Sequence, residues 1–328
     1  MVARVTDAET LAMVRQTARD VFTDVPTARQ LADLGWFGLF TPEHLGGSGW
    51  RPIAACVIAE EAGEAYSPVS WAQSALAAGA LGLSATSVLL DGVLSGETTA
   101  SFCTGRISFG AVPTPRVSGF FPFSAGLPAQ LMVVTDEEGS VGAVVHEDEK
   151  VALDEQSGCL DTTRRFHALR LNDADAAPID GSPLAWLTTT AQLLSCADTV
   201  GALRRAIVAV TNHLLERQAF GSSLASFQVI QHRLVDLEVL HASAQALVQR
   251  AAVAIEGRHN ASLVDAAHVF LSSRAVPALE DCVQLAGGMG FTWEFPVHHA
   301  LRRALTNSSS TRTPRASSNR LALSRGWS

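Results

Sequence analysis

Residues 284–303, QLAGGMGFTWEFPVHHALRR, hold the densest unusual chemistry of this 328-residue chain. Gly287, Gly288 and Gly290 fall within four positions, directly after an apolar helical pattern. Glycine has no Cβ, so it lets the backbone turn sharply or approach a ligand such as a phosphate group closely. The same pattern also fits a glycine helix stop that leads into a structural loop, so two interpretations stand at this point.

Glu294 follows this turn and lies between Trp293 and Phe295. If the aromatic rings bury the carboxylate, its pKa rises, which would suit a general base. The alternative is a structural carboxylate that caps a helix or pairs with Arg302 or Arg303. We expect the structural role and keep Glu294 as the candidate catalytic residue.

The segment 216–233, ERQAFGSSLASFQVIQHR, ends one helix, turns at Gly221 and begins another. Together with residues 284–291 it resembles the acyl-CoA dehydrogenase family, flavoenzymes that oxidise acyl thioesters. That family's C-terminal domain carries an R-x-x-F-G turn, a glutamine early in the next helix and a Q-x-x-G-G-x-G-F segment. All three occur here in that order, and residues 31–50, LADLGWFGLFTPEHLGGSGW, are similar to the family's N-terminal segment.

The resemblance implies FAD as the cofactor and an acyl-CoA or acyl-carrier-protein thioester as the substrate. It implies that Arg217 reaches the flavin pyrophosphate of a neighbouring subunit, because its planar guanidinium matches phosphate oxygens. The other residues that the resemblance assigns to the cofactor are Phe220, Gln228, Gln284, Gly287 and Gly288. No metal is expected, since the helical histidines lack carboxylate partners at ligand spacing: His213, His232, His241 and His268.

Three family features are not recognisable. The flavin-covering loops T-E-P-G-x-G-S-D and W-(I/V)-(T/S) would fall near residues 101–116 and 120–130, which are SFCTGRISFGAVPTPR and FFPFSAGLPAQ. The resemblance places the usual catalytic base near residues 310–312 and an alternative base near Ala191, and neither position offers a carboxylate. The acid nearest to the alternative position is Asp198, about two helical turns away.

Two hypotheses of function follow. The first is an acyl-CoA dehydrogenase-like oxidoreductase subunit for flavin-linked α,β-oxidation, with catalytic residues supplied partly by a better-preserved, related subunit. Short, degenerate subunits of heteromeric actinobacterial acyl-CoA dehydrogenases are similar in this respect. The second is a fold that has lost flavin and serves non-redox chemistry on a thioester-bound substrate, or acts as a non-catalytic binding subunit.

The fold class predicted is α+β and mainly helical, with three domains. Residues 1–97 form a helical domain and residues 98–182 a small β-barrel-like domain. In the latter, short β-branched or alternating runs predict strands at residues 131–134, 141–145, 151–153 and 166–171. Residues 183–328 form a four-helix bundle, because apolar residues recur there every three or four positions. Pro277 should kink or restart the last long helix, and the Ser- and Pro-rich tail at residues 308–318 is expected to be partly disordered.

Composition narrows the class of partner and the compartment. The net charge of −8, with scattered basic residues, argues against nucleic acid or an anionic membrane as a partner. The five cysteines are far apart, which predicts buried reduced thiols in a cytoplasmic protein. Residues 66–90 carry no charge, yet their Ala, Gly, Ser and Thr content favours helices inside a soluble domain over a membrane span.

Two surface features complete the expectations. Glu60, Glu61 and Glu64 share the polar side of a predicted helix, so we expect them on a solvated face. The uncharged helices near residues 76–90 and the striped bundle helices have more apolar surface than one bundle should leave uncovered. We therefore predict a homo- or hetero-oligomer.

Overall fold

A computed structural model describes residues 8–83, 89–110, 116–125, 129–179 and 181–327. The N-terminal part is helical, and Thr27 and Gln30 form a capping box that begins the second helix. The helices are α1 (Ala8–Val21), α2 (Ala28–Asp33), α3 (Pro52–Glu64), α4 (Trp71–Leu81) and α5 (Leu90–Leu94), with 3₁₀ turns at Trp36–Gly38 and Glu43–Leu45.

The middle part is a sheet in which the long strand β7 belongs to both halves. Its strands are β1 (Ala100–Thr104), β2 (Arg106–Phe109), β3 (Arg116–Ala125), β4 (Leu131–Thr135), β5 (Gly142–His146), β6 (Val151–Glu155) and β7 (Phe166–Ile179). In the described part of the chain the order is β1-β4-β5-β7-β3-β2, and β6 also pairs with β7. The four predicted strands are confirmed, whereas sequence periodicity did not predict β1, β2 and β3.

The C-terminal part returns to long helices. These are α6 (Gly181–Glu216), α7 (Gln228–Glu256), α8 (Ser262–Ala286), α9 (Val297–Asn307) and α10 (Pro314–Ser324), with a short hairpin of β8 (Gln218–Ala219) and β9 (Ser222–Ser223) between α6 and α7. A 3₁₀ turn at Leu224–Ser226 precedes α7, and another at Gly287–Phe291 follows α8. Helix α8 continues through Pro277 and does not restart there. The expectation of a partly disordered tail is wrong for α10, because Thr313 caps that helix and Ser317 is buried against His268.

Helices α3 and α6 cross with their backbones in contact. A Cβ at Gly201 would lie 1.8 Å from the carbonyl oxygen of Glu60, and a Cβ at Gly63 would lie 2.0 Å from that of Asp198. Two glycines on facing helices therefore permit a crossing that any larger residue would prevent. This crossing joins the N-terminal helices to the bundle.

The prediction that three glutamates of α3 form a solvated face is wrong for Glu60 and Glu61, which are 1% and 2% exposed. Arg15 of α1 donates to both carboxylates, and Arg204 of α6 donates to Glu61 at 2.9 Å. Burial alone would raise the pKa of Glu61, but Arg204 and the neighbouring arginines outweigh it and the pKa is lowered. The polar side of α3 faces arginines of other helices. Sequence periodicity alone cannot distinguish a polar face that is buried against arginines from one that faces water.

Two further expectations concern burial. Cys56, Cys103, Cys196 and Cys282 are buried and form no disulfide with a described residue, in line with the prediction, whereas Cys159 is only half-buried. Helix α4 is covered within the chain, with Leu76 and Leu81 buried, so it does not supply the exposed surface that we expected of it. Residues 84–88 of that uncharged segment lie outside the described residues. Within the described ranges, no helix has the length and hydropathy to cross a membrane.

The mainly helical three-part architecture is confirmed: helices, then the sheet, then the bundle. Apolar residues of α6, α7, α8 and α9 pack into one core, with Leu237, Leu279 and Val297 among its buried members. The domain boundaries after residues 97 and 182 remain predictions.

Candidate functional site

The R-x-x-F-G motif forms a tight hairpin at the end of α6. The Arg217 N–H donates to the His213 carbonyl at 2.9 Å, and the Leu224 N–H donates to the Arg217 carbonyl at 2.8 Å. Phe220 and Gly221, at φ 54° and 79°, form the two-residue turn between β8 and β9. Phe220 is 98% exposed, so a large apolar side chain in a strained conformation contacts almost nothing in its own chain.

Contacts between helices bring the predicted cofactor residues to one end of the bundle. Arg233 of α7 pairs with Asp281 of α8, with Nε to Oδ2 at 3.2 Å, and so fixes the start of α7 beside the end of α8. Gln228 is the first residue of α7, and Gln284 comes three residues after Asp281. The ring of His213, one turn before the end of α6, packs 5.4 Å from Phe295, in the loop that follows the glycine turn.

The polar side chains at this bundle end are exposed: Arg217, Gln228 and Gln284. None of the three makes a side-chain hydrogen bond or ion pair with another residue that the structure describes. These three donor groups at one end of the bundle can therefore bond to solvent, to a ligand or to a second chain.

Two of the three glycines in the turn, Gly287 and Gly290, are needed for the fold, and Gly288 is not. Gly290 is needed, because a Cβ there would lie 2.6 Å from the Val283 carbonyl oxygen. Gly287 is needed for its backbone, at φ 61° and ψ −138°, a conformation that is essentially limited to glycine. Gly288 has no atom within 4 Å of its ideal Cβ position and no positive φ. Its missing side chain therefore leaves open space at the surface beside Gln284.

Chemically, this bundle end can bind an anion. A guanidinium, two amides and an open backbone turn are the groups that hold phosphate oxygens in proteins. The exposed Phe220 provides an apolar surface beside them. These residues fit one side of a pyrophosphate group. The bundle end is open to solvent, so the other side of such a ligand would not be covered by these residues.

Glu294 does not have the buried surroundings that its sequence neighbours suggested. Its side chain is exposed, although Trp293 and Phe295 flank it in sequence. The expected pairing with Arg303 is wrong, because Arg303 binds Asp198. Arg302 lies over the Trp293 ring at 5.0 Å, and Glu294 makes no ion pair with any described residue. Nor does it cap α9, which begins without a side-chain cap.

The positions where the resemblance places a base meet at one small cavity. Ala191 and Ser195 of α6 line it, and the Ser195 hydroxyl lies 3.4 Å from that of Ser310. The cavity holds about 70 Å³, room for about two waters. The acidic residue in its lining is Asp198, which is already bound to Arg303. The position of the usual base therefore carries the Ser310 hydroxyl, and the alternative position carries the methyl group of Ala191.

A buried ionic cluster lies beneath this cavity. Arg303, 2% exposed, donates from Nε and Nη2 to the two oxygens of Asp198 at 2.8 and 2.7 Å. Asn307 donates to Asp198 at 2.6 Å, and Arg164 donates to the Asn307 side-chain oxygen at 2.7 Å. Burial would raise the pKa of Asp198, but Arg303 and Arg164 lower it below its usual range. From the sequence, Arg302 and Arg303 were interpreted as possible partners of Glu294. In the structure Arg303 is instead the partner of Asp198.

The histidines have structural surroundings. His268 bonds to the Ser317 hydroxyl at 2.8 Å and to the Ser308 carbonyl at 2.9 Å. Across the described part of the chain, no His, Cys, Asp and Glu side chains group as metal ligands would. The two loops expected to cover the flavin fall partly on residues 111–115 and 126–128, which lie outside the described residues.

Comparison with known proteins gives the same family for both ends of the chain. A sequence model of the acyl-CoA dehydrogenase N-terminal domain matches residues 1–89, and one of the C-terminal domain matches residues 187–310. The two ranges together cover more than half of the chain.

Two curated relatives carry the name acyl-CoA dehydrogenase IpdE2. The one from Mycobacterium tuberculosis is 32% identical over 156 residues, which are 48% of this chain and 46% of that protein. The one from Mycolicibacterium smegmatis is 28% identical over 271 residues, which are 83% of this chain and 78% of that protein. The chain thus spans about half the length of the first relative and about four fifths of the second.

Solved structures share the fold at lower identity. A variant of the Tcur3481-Tcur3483 steroid ACAD superposes with a TM-score of 0.87 at 22% identity, covering 97% of this chain and 98% of the other. The ChsE4-ChsE5 complex from Mycobacterium tuberculosis superposes with a TM-score of 0.85 at 19% identity, covering 99% of each chain. Each of these names joins two different proteins.

Proposed function

Since the chain belongs to the acyl-CoA dehydrogenase family, we propose that it is a subunit of an oxidoreductase for the α,β-oxidation of an acyl thioester. The thioester is carried by CoA or by a carrier protein. The family consists of FAD flavoproteins, and FAD, when bound, supplies the acceptor for the substrate's β-hydrogen, which no side chain can replace.

The exposed bundle end supports this proposal most directly. We assign Arg217 to the flavin pyrophosphate, where its planar fork can donate two parallel hydrogen bonds. Gln228 and Gln284 donate to the same group, and Gly288 leaves the backbone accessible. Phe220 packs against the apolar part of the cofactor. All of these groups face away from their own chain, so the site requires a second subunit.

The proton chemistry is assigned to that second subunit. Removing the α-proton of a thioester needs a base with a suitable pKa. The carboxylate of Asp198, in the cavity beside Ala191, is held by Arg303, and the Ser195 hydroxyl donates to the Ala191 carbonyl at 3.2 Å. This chain therefore contributes cofactor binding, and a related, better-preserved subunit contributes the base. Two of the structural relatives are named as pairs of proteins, which supports a heteromer.

The alternative is a flavin-free subunit that only binds a thioester or acts on it without redox chemistry. The small cavity of about 70 Å³ and the unrecognisable flavin loops favour this alternative. The exposed, unpartnered Arg217, Gln228 and Gln284 favour the first proposal, because a fold that had lost its cofactor would have no use for them.

Flavin affinity distinguishes the proposed oxidoreductase subunit from the flavin-free alternative. We expect FAD to bind the assembled protein, and Arg217→Ala to weaken binding by roughly 1.5 to 3 kcal/mol, the contribution of a charge-assisted hydrogen bond. Arg250→Ala is the matched control, since Arg250 is also an exposed arginine without an ion pair to a described residue. Flavin absorbance in equilibrium dialysis measures both variants. If the wild-type assembly takes up no FAD, the alternative stands.

A further inference from the structure

Tyr66, the one tyrosine of the chain, follows α3 in a backbone conformation that usually belongs to glycine. The Ser67 N–H donates to the Ala62 carbonyl at 2.9 Å. The Tyr66 N–H donates to the Gly63 carbonyl at 3.2 Å. These two bonds form the Schellman pattern, in which the residue after the helix cap is left-handed and most often glycine. Tyr66 takes that place with a φ of 51°, where a side chain is strained, so its contacts have to offset the strain.

The contacts of Tyr66 are with the start of α9 and with α6. Its hydroxyl donates to the Pro296 carbonyl at 3.0 Å, and its ring packs 6.0 Å from the ring of His299. The Arg205 guanidinium lies 5.4 Å from the centre of the Tyr66 ring. Burial raises the pKa of Tyr66 more than Arg205 and Arg303 lower it, so the hydroxyl keeps its proton and remains a donor.

The loop that accepts the Tyr66 hydrogen bond is continuous with the glycine turn. The turn occupies Gly287–Phe291, and the loop continues from it to Pro296, where α9 begins. Met289 and Phe291, the large apolar side chains of the turn, are exposed and add little packing of their own. The position of the turn therefore depends in part on how the loop after it is anchored, and Tyr66 supplies an anchor from outside the bundle helices.

The anchor itself is fixed by the buried ionic cluster. Both Nη atoms of Arg303 donate to the Ser67 carbonyl at 3.2 Å, and Arg303 is held in turn by Asp198. The backbone at residues 66–67 therefore cannot move without disturbing that cluster. Tyr66 connects the cluster beneath the small cavity to the loop that follows the glycine turn.

We propose that Tyr66 is a positioning residue for the glycine turn as a cofactor site, an inference that rests on the proposed function. Its hydrogen bond keeps Gly287 and Gly288, beside Gln284, in the place where they meet the FAD pyrophosphate. A residue that served only to end α3 would be better as glycine. The strained tyrosine gives up that advantage and gains the hydrogen bond to the loop.

Tyr66→Phe tests the proposal, because it removes the hydroxyl and keeps the ring. In the assembled protein without flavin, we expect hydrogen exchange at the Thr292, Phe295 and His299 amides to rise about fivefold, the effect of losing one hydrogen bond. These amides are bonded within the loop and the first turn of α9. In equilibrium dialysis, FAD affinity should fall by a similar factor, while the melting temperature stays within about 4 °C of wild type.

Two further variants separate cofactor positioning from a general loss of stability. Thr135→Val is the matched control, since it also removes a hydroxyl that donates to a backbone carbonyl, that of Val141 at 2.8 Å, but in the sheet. It should change neither the exchange of the loop nor FAD affinity. Tyr66→Gly suits the left-handed backbone but has neither hydroxyl nor ring, so FAD affinity should fall at least as far as in Tyr66→Phe.

The proposal is overturned if either Tyr66 variant binds FAD as the wild type does, or if exchange in Tyr66→Phe is unchanged. An equal loss of FAD affinity in Thr135→Val would also overturn it, because any lost hydroxyl would then have this effect. A wild-type assembly that takes up no FAD is a different outcome. It would contradict the proposed function itself, and the cofactor role of Tyr66 would fail with it.

Discussion

At the scale of single residues, a carboxylate's neighbours decide whether it can act as a base. Asp198 lies in the cavity where a base is needed. Two N–H groups of Arg303 and the side-chain amide of Asn307 hold it in the charged form. Glu294 has no such partner among the described residues, but it is exposed to solvent. Asp198 is occupied by its partners and Glu294 is not held in a cavity, which is why proton abstraction is assigned to another subunit.

Glu294→Gln is expected to change little. The side chain has no cap or ion-pair role among the described residues, so the free energy of unfolding should stay within about 0.5 kcal/mol of wild type. Turnover per folded molecule in the assembled protein should also be unchanged. Melting temperature and turnover measured on the same preparation check both statements. A folded, stable protein with turnover reduced by about a hundredfold would show that Glu294 is the base after all.

Asp198→Asn should destabilise the protein strongly. Breaking a buried pair leaves Arg303 without its counter-ion and costs about 3–5 kcal/mol. The folded pKa of Asp198 is depressed, so its stabilisation is fully present above the unfolded pKa of about 3.9 and is lost as pH falls through the folded value. Denaturant titrations from neutral to acid pH should therefore show a shallower acid loss in the variant.

The control for that experiment is Asp154→Asn. Asp154 pairs with Arg170 on the surface, with both side chains more than half exposed, and such pairs contribute about 0–1 kcal/mol. Equal losses in the two variants would mean that the Asp198 pair is no more important than a surface pair.

At the scale of elements, glycine substitutions distinguish a glycine that is needed for helix packing from one that is needed for ligand binding. Gly201→Ala forces a Cβ against the backbone of α3, so α3 and α6 must separate and stability must fall. Gly288→Ala meets no atom of its own chain, so the melting temperature should stay near that of wild type while FAD affinity falls. Thermal melts and flavin dialysis on both variants check this. If Gly288→Ala binds FAD normally, the glycine turn has no role in cofactor approach.

The sequence was sufficient to predict the helices and strands that have strong apolar periodicity. It was insufficient to predict burial that depends on partners far away in the chain. The long helices and four strands follow from apolar spacing, and the hairpin at Phe220 follows from the motif. Strands β1 and β2 were missed because SFCTGRISF has no clear alternation. The burial of Glu60 and Glu61 was missed because their arginine partners lie on α1 and α6, far away in sequence.

At the scale of the whole molecule, the exposed apolar side chains favour assembly through the bundle. Helix α7 exposes Val229, Val235, Val239 and Val253 to more than half of their surface, and α6 exposes Leu215 to 57%. Phe220, Phe291 and Trp293 extend this surface around the glycine turn, with exposures of 98%, 80% and 63%. A second chain over this face would cover the apolar surface and complete the cofactor site at the same time.

We propose that this chain binds FAD only at an interface with another chain. The direct measurement is size-exclusion chromatography with light scattering and flavin absorbance, on tagged protein purified from the organism that encodes it. We predict that flavin elutes with a species of two or more chains and is absent from any monomer. Flavin that elutes with the monomer, or an assembled species that neither carries nor takes up FAD, would contradict it.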